Sequence, residues 1–484
     1  MGIKFRTGRS LATCALAIFF SSRPYAENSD FLTMSSSVAS PPESLLIIGS
    51  GVFGLSTAFS LVQRPLYSST LITVLDRSPF PSQDGSSIDT ARIVRADYSS
   101  PAYASLAAAA LVHWRKSSPK DLGGEGRYSE NGLVFTANKK AQGEDYVRKS
   151  WENVQALMRA AGDAYSANEL PDRTAIVAAT STGGGSGDWG YINRRSGWAD
   201  AEASMRWLRA QIEAAGRVSF IQGEAVSLLK TGKKVHGAQL KDGRILTAEL
   251  VVLAAGAWSG RLVDLRGRAT ATGQVEAYLP LTEAEQARLG SMPTLLNMSS
   301  GLFITPPRDR LLKVGRHAYG YINPQWIRNP GAVGHTSAGQ NKDEFISVSI
   351  PRTTTDDPAQ QIPVEGARAC RQAVAELIPW LEARPFSKTR ICWYLDTPKG
   401  DFLITYHLQY KGLFLATGGS GHAFKFLPVL GNYVADCIEG RCPEAFKEAW
   451  GWANKVDEVF AEDGSRSGRP GIILEDVMNE QSKY

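Results

Sequence analysis

The spacing of three glycines, Gly49, Gly51 and Gly54, is the first pattern in the sequence that predicts chemistry. A Gly-x-Gly-x-x-Gly turn lets the backbone approach a pyrophosphate, whose negative charge then lies at the N-terminus of the following helix. Asp76 follows about 20 residues later, where an acidic side chain can bind a ribose hydroxyl. Together these residues predict a dinucleotide site, although glycines in this order also occur in ordinary tight turns.

Two strands and a helix must position these residues. The apolar run Leu45–Ile48, directly before the glycines, is typical of a buried parallel strand. After the glycines, Leu55, Ala58 and Val62 recur at helical spacing, and a second apolar run, Leu71–Leu75, ends at the acidic residue. The three segments form one βαβ unit, which is the context that the glycine motif requires.

Further segments suggest the organisation of the rest of the chain. A helix is predicted from about 199 to 215, because its apolar residues share one face and Gly216 follows it. Apolar or alternating runs predict strands at 225–229, 235–240, 250–256 and 413–416. From about 277 to 382, alternating strands such as 344–349 predict an antiparallel sheet. The glycine-rich run 183–187 is predicted to be a flexible surface loop.

Length and composition exclude several classes of protein. A chain of 484 residues exceeds the size at which one hydrophobic core stops growing, so two lobes are expected. The formal net charge is only +5, without a run of like charges in the body, so nucleic acid is a poor candidate partner. Five cysteines, without a CxxC pair or a cysteine and histidine cluster, predict neither a disulfide framework nor a bound metal.

The N-terminal residues 1–43 differ from the rest of the chain. Basic residues precede the apolar run Leu11–Phe20, as in a secretory leader, but Arg23 and Pro24 interrupt the cleavage region. A signal peptide and a non-folded extension therefore both stay open, with an intracellular location favoured. No later run has the about 20 apolar residues that cross a bilayer, so no membrane span is expected in the folded body.

Several ordered blocks resemble the flavin amine-oxidase family that includes monomeric sarcosine oxidase. In chain order, the blocks are Ser86–Arg95, Gly190–Asn193, Gly197–Ala201, Gly256–Trp258, Arg390–Pro398 and Gly418–Phe426. The fungal saccharopine or pipecolate oxidase and fructosyl-amino-acid oxidase branches are the most similar. The resemblance runs from about residue 44 to residue 442 and implies that the dinucleotide is FAD, which the glycine motif alone does not distinguish from NAD.

The resemblance also implies a fold. It is an α/β fold with a discontinuous Rossmann-like FAD-binding domain and a substrate domain built on a mixed or antiparallel sheet. The segments expected in the FAD-binding domain are 44–130, 198–276 and 385–445. The segments expected in the substrate domain are 131–197 and 277–384. Residues 446–484 would form a C-terminal tail, largely outside the resemblance, and a monomer is expected.

The same resemblance assigns residues to the flavin. Cys392 would be joined by a thioether to the 8α-methyl of the flavin, the ordinary alternative being a buried free cysteine. Arg92 would act catalytically close to the flavin. Other expected cofactor-binding residues are Gly49, Gly51, Gly54, Asp76, Arg77, Val226, Gly421 and Lys425.

The remaining assignments concern the substrate and dioxygen. Arg95 and Lys425 are expected to bind a substrate carboxylate through charge-assisted hydrogen bonds, whereas structural salt bridges are the alternative for the arginines. In a strand, alternation sends Lys313 and His317 to the same face. By resemblance, Lys313 promotes the reaction with dioxygen, since a fixed cation stabilises superoxide, and His317 is a second catalytic group. His422 is expected near the flavin without an assigned role.

The preferred interpretation is an oxidase that transfers hydride from a secondary amine or amino acid to FAD and then releases hydrogen peroxide. A flavin dehydrogenase with another electron acceptor, a fructosyl-amino-acid oxidase and a flavin protein without activity are the alternatives. Thr90–Arg92 departs from the Asn-Lys of the fructosyl branch, which favours a secondary amino acid or a metabolite that contains one. Relatives are often peroxisomal, but the ending Ser482–Tyr484 departs from the Ser-Lys-Leu signal.

Overall fold

The computed structural model describes residues 40–163, 165–332, 344–453 and 463–481. Of the predicted N-terminal leader or extension, residues 1–39 lie outside the described residues. The C-terminal tripeptide 482–484 also lies outside them. Within the described ranges, no helix is both long enough and apolar enough to cross a bilayer.

The strands carry mainly apolar or alternating side chains and form several sheets. Over the described ranges they are β1 Ser44–Ile48, β2 Leu71–Asp76, β3 Arg92–Val94, β4 Tyr128–Ser129, β5 Leu133–Ala137, β6 Ala167–Leu170, β7 Trp189–Asn193, β8 Gly197–Ala199, β9 Val218–Gln222, β10 Ala225–Thr231, β11 Lys234–Leu240, β12 Ile245–Thr247, β13 Leu250–Leu253, β14 Thr270–Pro280, β15 Thr294–Asn297, β16 Leu302–Ile304, β17 Leu311–Arg316, β18 Tyr321–Ile322, β19 Pro324–Arg328, β20 Phe345–Ser349, β21 Lys388–Asp396, β22 Leu403–Tyr406, β23 Leu413–Thr417 and β24 Ile472–Ile473.

The helices lie between these strands. Over the same ranges they are α1 Val52–Gln63, α2 Pro101–Trp114, α3 Glu144–Ala160, α4 Arg173–Thr180, α5 Ala201–Ala214, α6 Ser259–Leu262, α7 Glu283–Leu289, α8 Val364–Leu377, α9 Leu427–Ile438, α10 Glu444–Lys447 and α11 Leu474–Gln481. The helix predicted from about 199 begins at Ala201, because the Asp200 side chain caps it by accepting a hydrogen bond from the Ala203 amide.

A six-stranded sheet is built on the predicted βαβ unit. Its strand order is β22-β23-β13-β1-β2-β9, and only the edge strand β22 runs antiparallel to its neighbour. Residues 45–48 of β1 are buried, as expected for a central strand of a parallel sheet. Helix α1 follows β1 and packs against α5 and α9. The glycine turn between β1 and α1 therefore lies at the carboxyl end of the sheet, where ligands of such sheets bind.

A ten-stranded mixed sheet carries the remaining predicted site residues. Its strand order is β24-β18-β14-β17-β16-β15-β5-β7-β6, and β21 also pairs with β14. The long strand β14 runs antiparallel to both β17 and β21. Residues 271–279 of β14 are all buried, although Glu276 is among them. A carboxylate in such a strand requires charged or hydrogen-bonding partners.

Part of the predicted C-terminal tail packs against this sheet. Strand β24 pairs in parallel with β18, and α11 packs against α8. Leu474, at the start of α11, has only 1% of its surface exposed. Residues 463–481 are therefore bound to the body of the protein, close to the end of β17.

The prediction of a flexible surface loop at 183–187 is wrong. Residues 184–187 are buried against the end of α8. The Gly185 amide donates a hydrogen bond to the Glu376 carbonyl oxygen at 2.8 Å. A Cβ atom on Gly184 would lie 2.4 Å from that same oxygen. The glycines thus allow close packing against a neighbouring helix, a use that composition alone does not separate from flexibility.

Candidate active site

A cleft at the carboxyl end of the six-stranded sheet has an empty volume of about 1120 Å³, which includes space open to solvent. Gly49, Gly51, Asp76 and Arg77, all predicted to bind the cofactor, line the cleft together with the segment 86–88. The structure thus brings four of the predicted cofactor residues to a single cavity.

The glycine turn has the shape that a pyrophosphate requires. Gly49 has a φ of +112°, and a Cβ atom there would lie 2.4 Å from the Ala254 carbonyl oxygen. A Cβ atom on Gly54 would lie 1.8 Å from the Gly49 carbonyl oxygen. Gly54 is not among the cleft-lining residues. Because it has no side chain, α1 can pack directly against the turn. Gly51 is the N-cap residue of α1, so a phosphate in the cleft would meet a helix N-terminus.

Asp76, Arg77 and Val226 were also predicted to bind the cofactor, but only the first two line the cleft. Asp76 Oδ2 accepts hydrogen bonds from the amide and the hydroxyl of Ser50, each at 2.7 Å, which fixes the carboxylate beside the glycine turn. Arg77 forms ion pairs with two carboxylates at the rim of the cleft. Val226 is 45% exposed, and its predecessors 223–225 line the cleft instead. A role for Val226 in cofactor binding stays a prediction.

Strand register brings a second group of predicted residues to one face of the ten-stranded sheet. Lys313 on β17 is paired with Tyr278 on β14. On the other side of β14, Arg390 and Cys392 of β21 are paired with Glu276 and Gln274. Because paired residues and alternate residues of a strand share a face, all of these side chains lie on the same side of the sheet.

Five charged side chains on this face form a buried cluster, namely Asp89, Glu276, Lys313, Arg92 and Arg390. Lys313 and Arg92 each form ion pairs with both carboxylates, and Lys313 Nζ lies 2.7 Å from Glu276 Oε1. Arg390 Nε lies 3.6 Å from Glu276 Oε2. Burial by itself would raise the pKa of Asp89, but Lys313 and Arg92 outweigh it and hold that pKa well below its ordinary value. Three cations and two carboxylates leave one net positive charge.

Arg92 connects the charged cluster to the cleft. Its Nη2 donates to the carbonyl oxygens of Ser86 at 3.1 Å and Ile88 at 3.4 Å, which belong to the cleft-lining segment. The same nitrogen lies 3.5 Å from Sγ of Cys392. Cys392 is fully buried, and burial, with Glu276 nearby, raises the pKa of its thiol. Arg92 therefore joins Cys392 and the charged cluster to the cleft-lining segment 86–88, and the contact of these residues with a cofactor stays a prediction.

Arg95 and Lys425 meet at a tyrosine that was not predicted, Tyr98. The Arg95 guanidinium lies 4.8 Å from the centre of the Tyr98 ring, and Lys425 Nζ lies 5.1 Å from it. Both cations are buried. Nη1 of Arg95 has no hydrogen-bond partner among the described residues. Burial, and then repulsion by Arg95, lowers the pKa of Lys425 well below its ordinary value. This arrangement favours binding of an anion.

Tyr98 also links Lys425 to His422. Lys425 Nζ donates to Tyr98 Oη at 2.8 Å, and Oη lies 2.9 Å from His422 Nδ1. His422 Nε2 lies 2.8 Å from the Gly400 carbonyl oxygen, which can only accept. His422 is therefore protonated at Nε2 and accepts from Tyr98 at Nδ1. Burial and the nearby Lys425 lower its pKa, which keeps it neutral. The preceding Gly421 has a φ of +67°, and its contact with a cofactor stays a prediction.

His317 follows β17 directly and lies beside Arg466, a residue of the C-terminal segment that the sequence did not suggest. Arg466 Nη1 lies 2.9 Å from His317 Nδ1. Burial, and then repulsion by Arg466 and Arg95, lowers the pKa of His317 well below its ordinary value. His317 is therefore uncharged near neutral pH.

Several residues of the site were missed by the sequence reasoning. Asp89 and Arg390 lie inside blocks that carry the family resemblance, so those blocks contained a signal for them. Glu276 was detectable in principle as a carboxylate in a strand whose neighbours are largely apolar. Arg466 lies in a glycine- and serine-containing stretch without periodicity, and no local pattern marks it.

Known proteins resemble this chain over most of its length. The family model described as DAO, FAD dependent oxidoreductase, matches residues 44–437. Amino acid oxidase fsqB of Aspergillus fumigatus is 32% identical over 456 residues, covering 81% of this chain and 91% of that protein. L-saccharopine oxidase of Schizosaccharomyces pombe is 28% identical, covering 84% and 92%. The structure of fructosyl peptide oxidase from E. terrenum has a TM-score of 0.78 at 25% identity, covering 91% and 98%.

The parallel sheet, the glycine turn and the cleft define a dinucleotide-binding α/β protein. The chain belongs to the family of FAD-dependent oxidoreductases, whose model matches residues 44–437. The predicted family resemblance, the α/β fold class with its mixed second sheet, and FAD as cofactor are thereby confirmed. The domain boundaries, the monomeric state and the roles of individual site residues stay predictions.

Gly54→Ala is expected to weaken FAD binding, because its Cβ atom would lie 1.8 Å from the Gly49 carbonyl oxygen and displace α1 from the turn. Overpacking of this kind costs roughly 1–3 kcal/mol. The measurement is the ratio of flavin to protein absorbance after purification. Ser60→Ala, on the same helix, loses one hydrogen bond to Asn432 and should keep its full flavin content. Equal flavin contents in the two variants would contradict the proposed packing role of Gly54.

Proposed function

We propose that this protein is an oxidase of a secondary amine or amino acid that carries a carboxylate. The observation that carries the proposal is the buried guanidinium of Arg95, whose Nη1 has no hydrogen-bond partner among the described residues, beside the buried ammonium of Lys425. Such a pair can bind a carboxylate through charge-assisted hydrogen bonds. Relatives named amino acid oxidase and L-saccharopine oxidase support a substrate of this class.

The residues around the carboxylate site would prepare the amine for oxidation. FAD supplies the hydride acceptor for the carbon next to the substrate nitrogen. By holding the carboxylate, Arg95 and Lys425 fix which carbon reacts. The same two cations disfavour a proton on a nearby amine, which must be neutral to release hydride. His317 and His422, both kept neutral, add no further positive charge. The imine product would then be hydrolysed by water.

The charged cluster around Lys313 is the proposed site of reaction with dioxygen. Electron transfer to dioxygen creates a negative charge on oxygen, and a fixed cation nearby stabilises it. The five charged side chains leave one net positive charge in a largely buried region. Lys313 is the cluster's ammonium and is 3% exposed, so its charge is little screened by solvent.

Cys392 is the proposed point of covalent attachment. The thiolate is the reactive form of this sulfur, and burial, with Glu276 nearby, opposes that form. Arg390 and Arg92 only partly offset the resulting rise in the pKa of the thiol. Arg92, which also contacts the cleft-lining carbonyl groups, would hold the reactive sulfur against the cofactor side of the cleft.

A peroxide-release screen tests the proposed function. Purified protein is assayed against N-methyl, cyclic and glycated amino acids, each with its decarboxylated counterpart. We expect peroxide with an N-methyl or cyclic amino acid, and at least about tenfold less with the counterpart, since one charge-assisted contact is worth about 1.5–3 kcal/mol. Preference for glycated amino acids would favour the alternative of a fructosyl-amino-acid oxidase. Turnover with a dye but without peroxide would identify a dehydrogenase.

If Cys392 carries the flavin, acid-denatured protein should stay yellow in the precipitate, because a thioether survives unfolding. Cys392→Ala should release its flavin into the supernatant. Cys370→Ala removes another fully buried cysteine, on α8, and should behave as the wild type. A yellow Cys392→Ala precipitate would show that the attachment point lies elsewhere.

Lys425 should limit carboxylate binding at alkaline pH. Its pKa is lowered from the ordinary value of about 10.4, so the ammonium is lost as pH rises through the lowered pKa. The dissociation constant of butyrate, measured from flavin absorbance changes, should rise in that range. Lys425→Arg stays charged and should abolish the rise, whereas Lys425→Met should weaken binding about 10- to 100-fold at lower pH. The same alkaline rise in Lys425→Arg would remove Lys425 from the carboxylate site.

Two substitutions with opposite effects on charge test the role of the cluster. Lys313→Met lowers its net charge and should slow flavin reoxidation by dioxygen about 10²- to 10³-fold, far more than anaerobic reduction by substrate. Glu276→Gln raises the net charge and should not slow reoxidation to a similar extent. Stopped-flow absorbance follows each half-reaction separately. Equal slowing of both half-reactions in Lys313→Met would make Lys313 a residue that only positions the substrate or the cofactor.

A further inference from the structure

Arg466 reaches the candidate site from outside the part of the chain that the family model matches, which ends at residue 437. Its side chain is fully buried. Nη1 lies 2.9 Å from His317 Nδ1 and 3.3 Å from Nε2. Nη2 donates to Asp396 Oδ1 at 2.7 Å and to the Ser420 carbonyl oxygen at 2.8 Å. The guanidinium is therefore held in place by partners from three separate segments.

The contact with Arg466 restricts the protonation of His317. A guanidinium has only N–H donors, and arginine stays charged at any working pH. Nη1 lies at similar distances from both ring nitrogens, so it contacts the face of the imidazole and not the lone pair of one nitrogen. An imidazolium in that position would bring a second positive charge into contact with the first in a buried site, where charges are little screened. The contact therefore keeps His317 neutral without selecting which of its nitrogens carries the proton.

The other groups around His317 act in the same direction. Besides Arg466, the cations Arg95 and Lys425 and the imidazole of His422 disfavour a proton on His317. Of the nearby carboxylates, Asp396 is bound by Arg466 and by the Thr272 hydroxyl. Asp463, at the start of the C-terminal segment, accepts hydrogen bonds from the amide and the hydroxyl of Ser465.

We propose that Arg466 is a positioning residue that keeps His317 neutral in the active site. His317 then adds no positive charge beside the amine. A neutral imidazole has one N–H donor and one acceptor nitrogen, so its available function is hydrogen bonding to a polar group of the substrate. This assignment of a partner to His317 rests on the proposed function, whereas the protonation state does not.

NMR spectroscopy of the holoenzyme labelled with ¹⁵N-histidine tests the assignment without turnover. The chain contains six histidines, and the loss of one set of signals in His317→Gln identifies His317. In the wild type, His317 should stay uncharged throughout about 1.5 pH units on either side of the ordinary histidine pKa of about 6.5. In Arg466→Gln, His317 should titrate within that range. Titration of wild-type His317, or its absence in Arg466→Gln, would overturn the proposal.

Three further variants keep the test decisive. Arg469→Gln removes an exposed cation from the same segment and should leave His317 unchanged. Arg466→Lys supplies another obligate donor and should restore the neutral state at least in part. Because Arg466→Gln leaves the buried Asp396 without its ion-pair partner, it can fail to fold. The double variant Arg466→Gln/Asp396→Asn removes that charge and should show the same titration of His317.

The outcomes separate this inference from the proposed function. A failed peroxide screen with His317 locked in its neutral form would contradict the proposed amine oxidase activity alone. An active oxidase whose wild-type His317 titrates normally would contradict only the role of Arg466. In an active enzyme, Arg466→Gln should also add an acidic ionisation to the rate of anaerobic flavin reduction, and the additional change His317→Gln should remove it.

Discussion

Two buried carboxylates, Asp89 and Glu276, impose the constraint on which the centre of the molecule depends. Their side chains are only 1% exposed, and charges so far from water persist only when opposite charges and hydrogen bonds surround them. The cations come from three different elements, with Lys313 on β17, Arg390 on β21 and Arg92 on β3. Loss of register between β14 and either β17 or β21 would leave an unpaired buried charge, so these strands, β3 and the loop before it must form together.

The ion pairs of this cluster also explain why an anion would bind at Lys425 and not at Lys313. Lys313 already has two carboxylates within ion-pair distance, whereas no described carboxylate forms an ion pair with Lys425 or Arg95. An incoming carboxylate therefore gains little at the compensated cluster and much beside Tyr98, where a buried guanidinium has a donor without a partner. The same fold thus holds one buried lysine in a charge-compensated cluster and another without a carboxylate partner among the described residues.

The parts that could be predicted from the sequence are those that depend on local physics or on preserved motifs. The βαβ unit follows from a glycine spacing and two periodicities over residues 45–76. The resemblance identified Lys313 and Cys392, and β14 brings them together. The partners of these residues could not be predicted, because Glu276 is separated from Arg390 by more than 100 positions and they meet only through strand register. The glycine run at 183–187 was misinterpreted because close packing and flexibility use the same residue type.

The C-terminal segment contributes a side chain, Arg466, that lies outside the residues matched by the family. Lys313, Cys392 and Lys425 all lie within the matched residues 44–437, so they are part of what the chain shares with its family. Arg466 lies outside that range but places its charge against the ring of His317. A histidine held neutral by such a contact would add no charge beside a bound amine, whereas a histidine free to titrate would add one in acidic solution. The charge in this part of the protein therefore depends in part on a segment that a comparison of catalytic motifs would leave out.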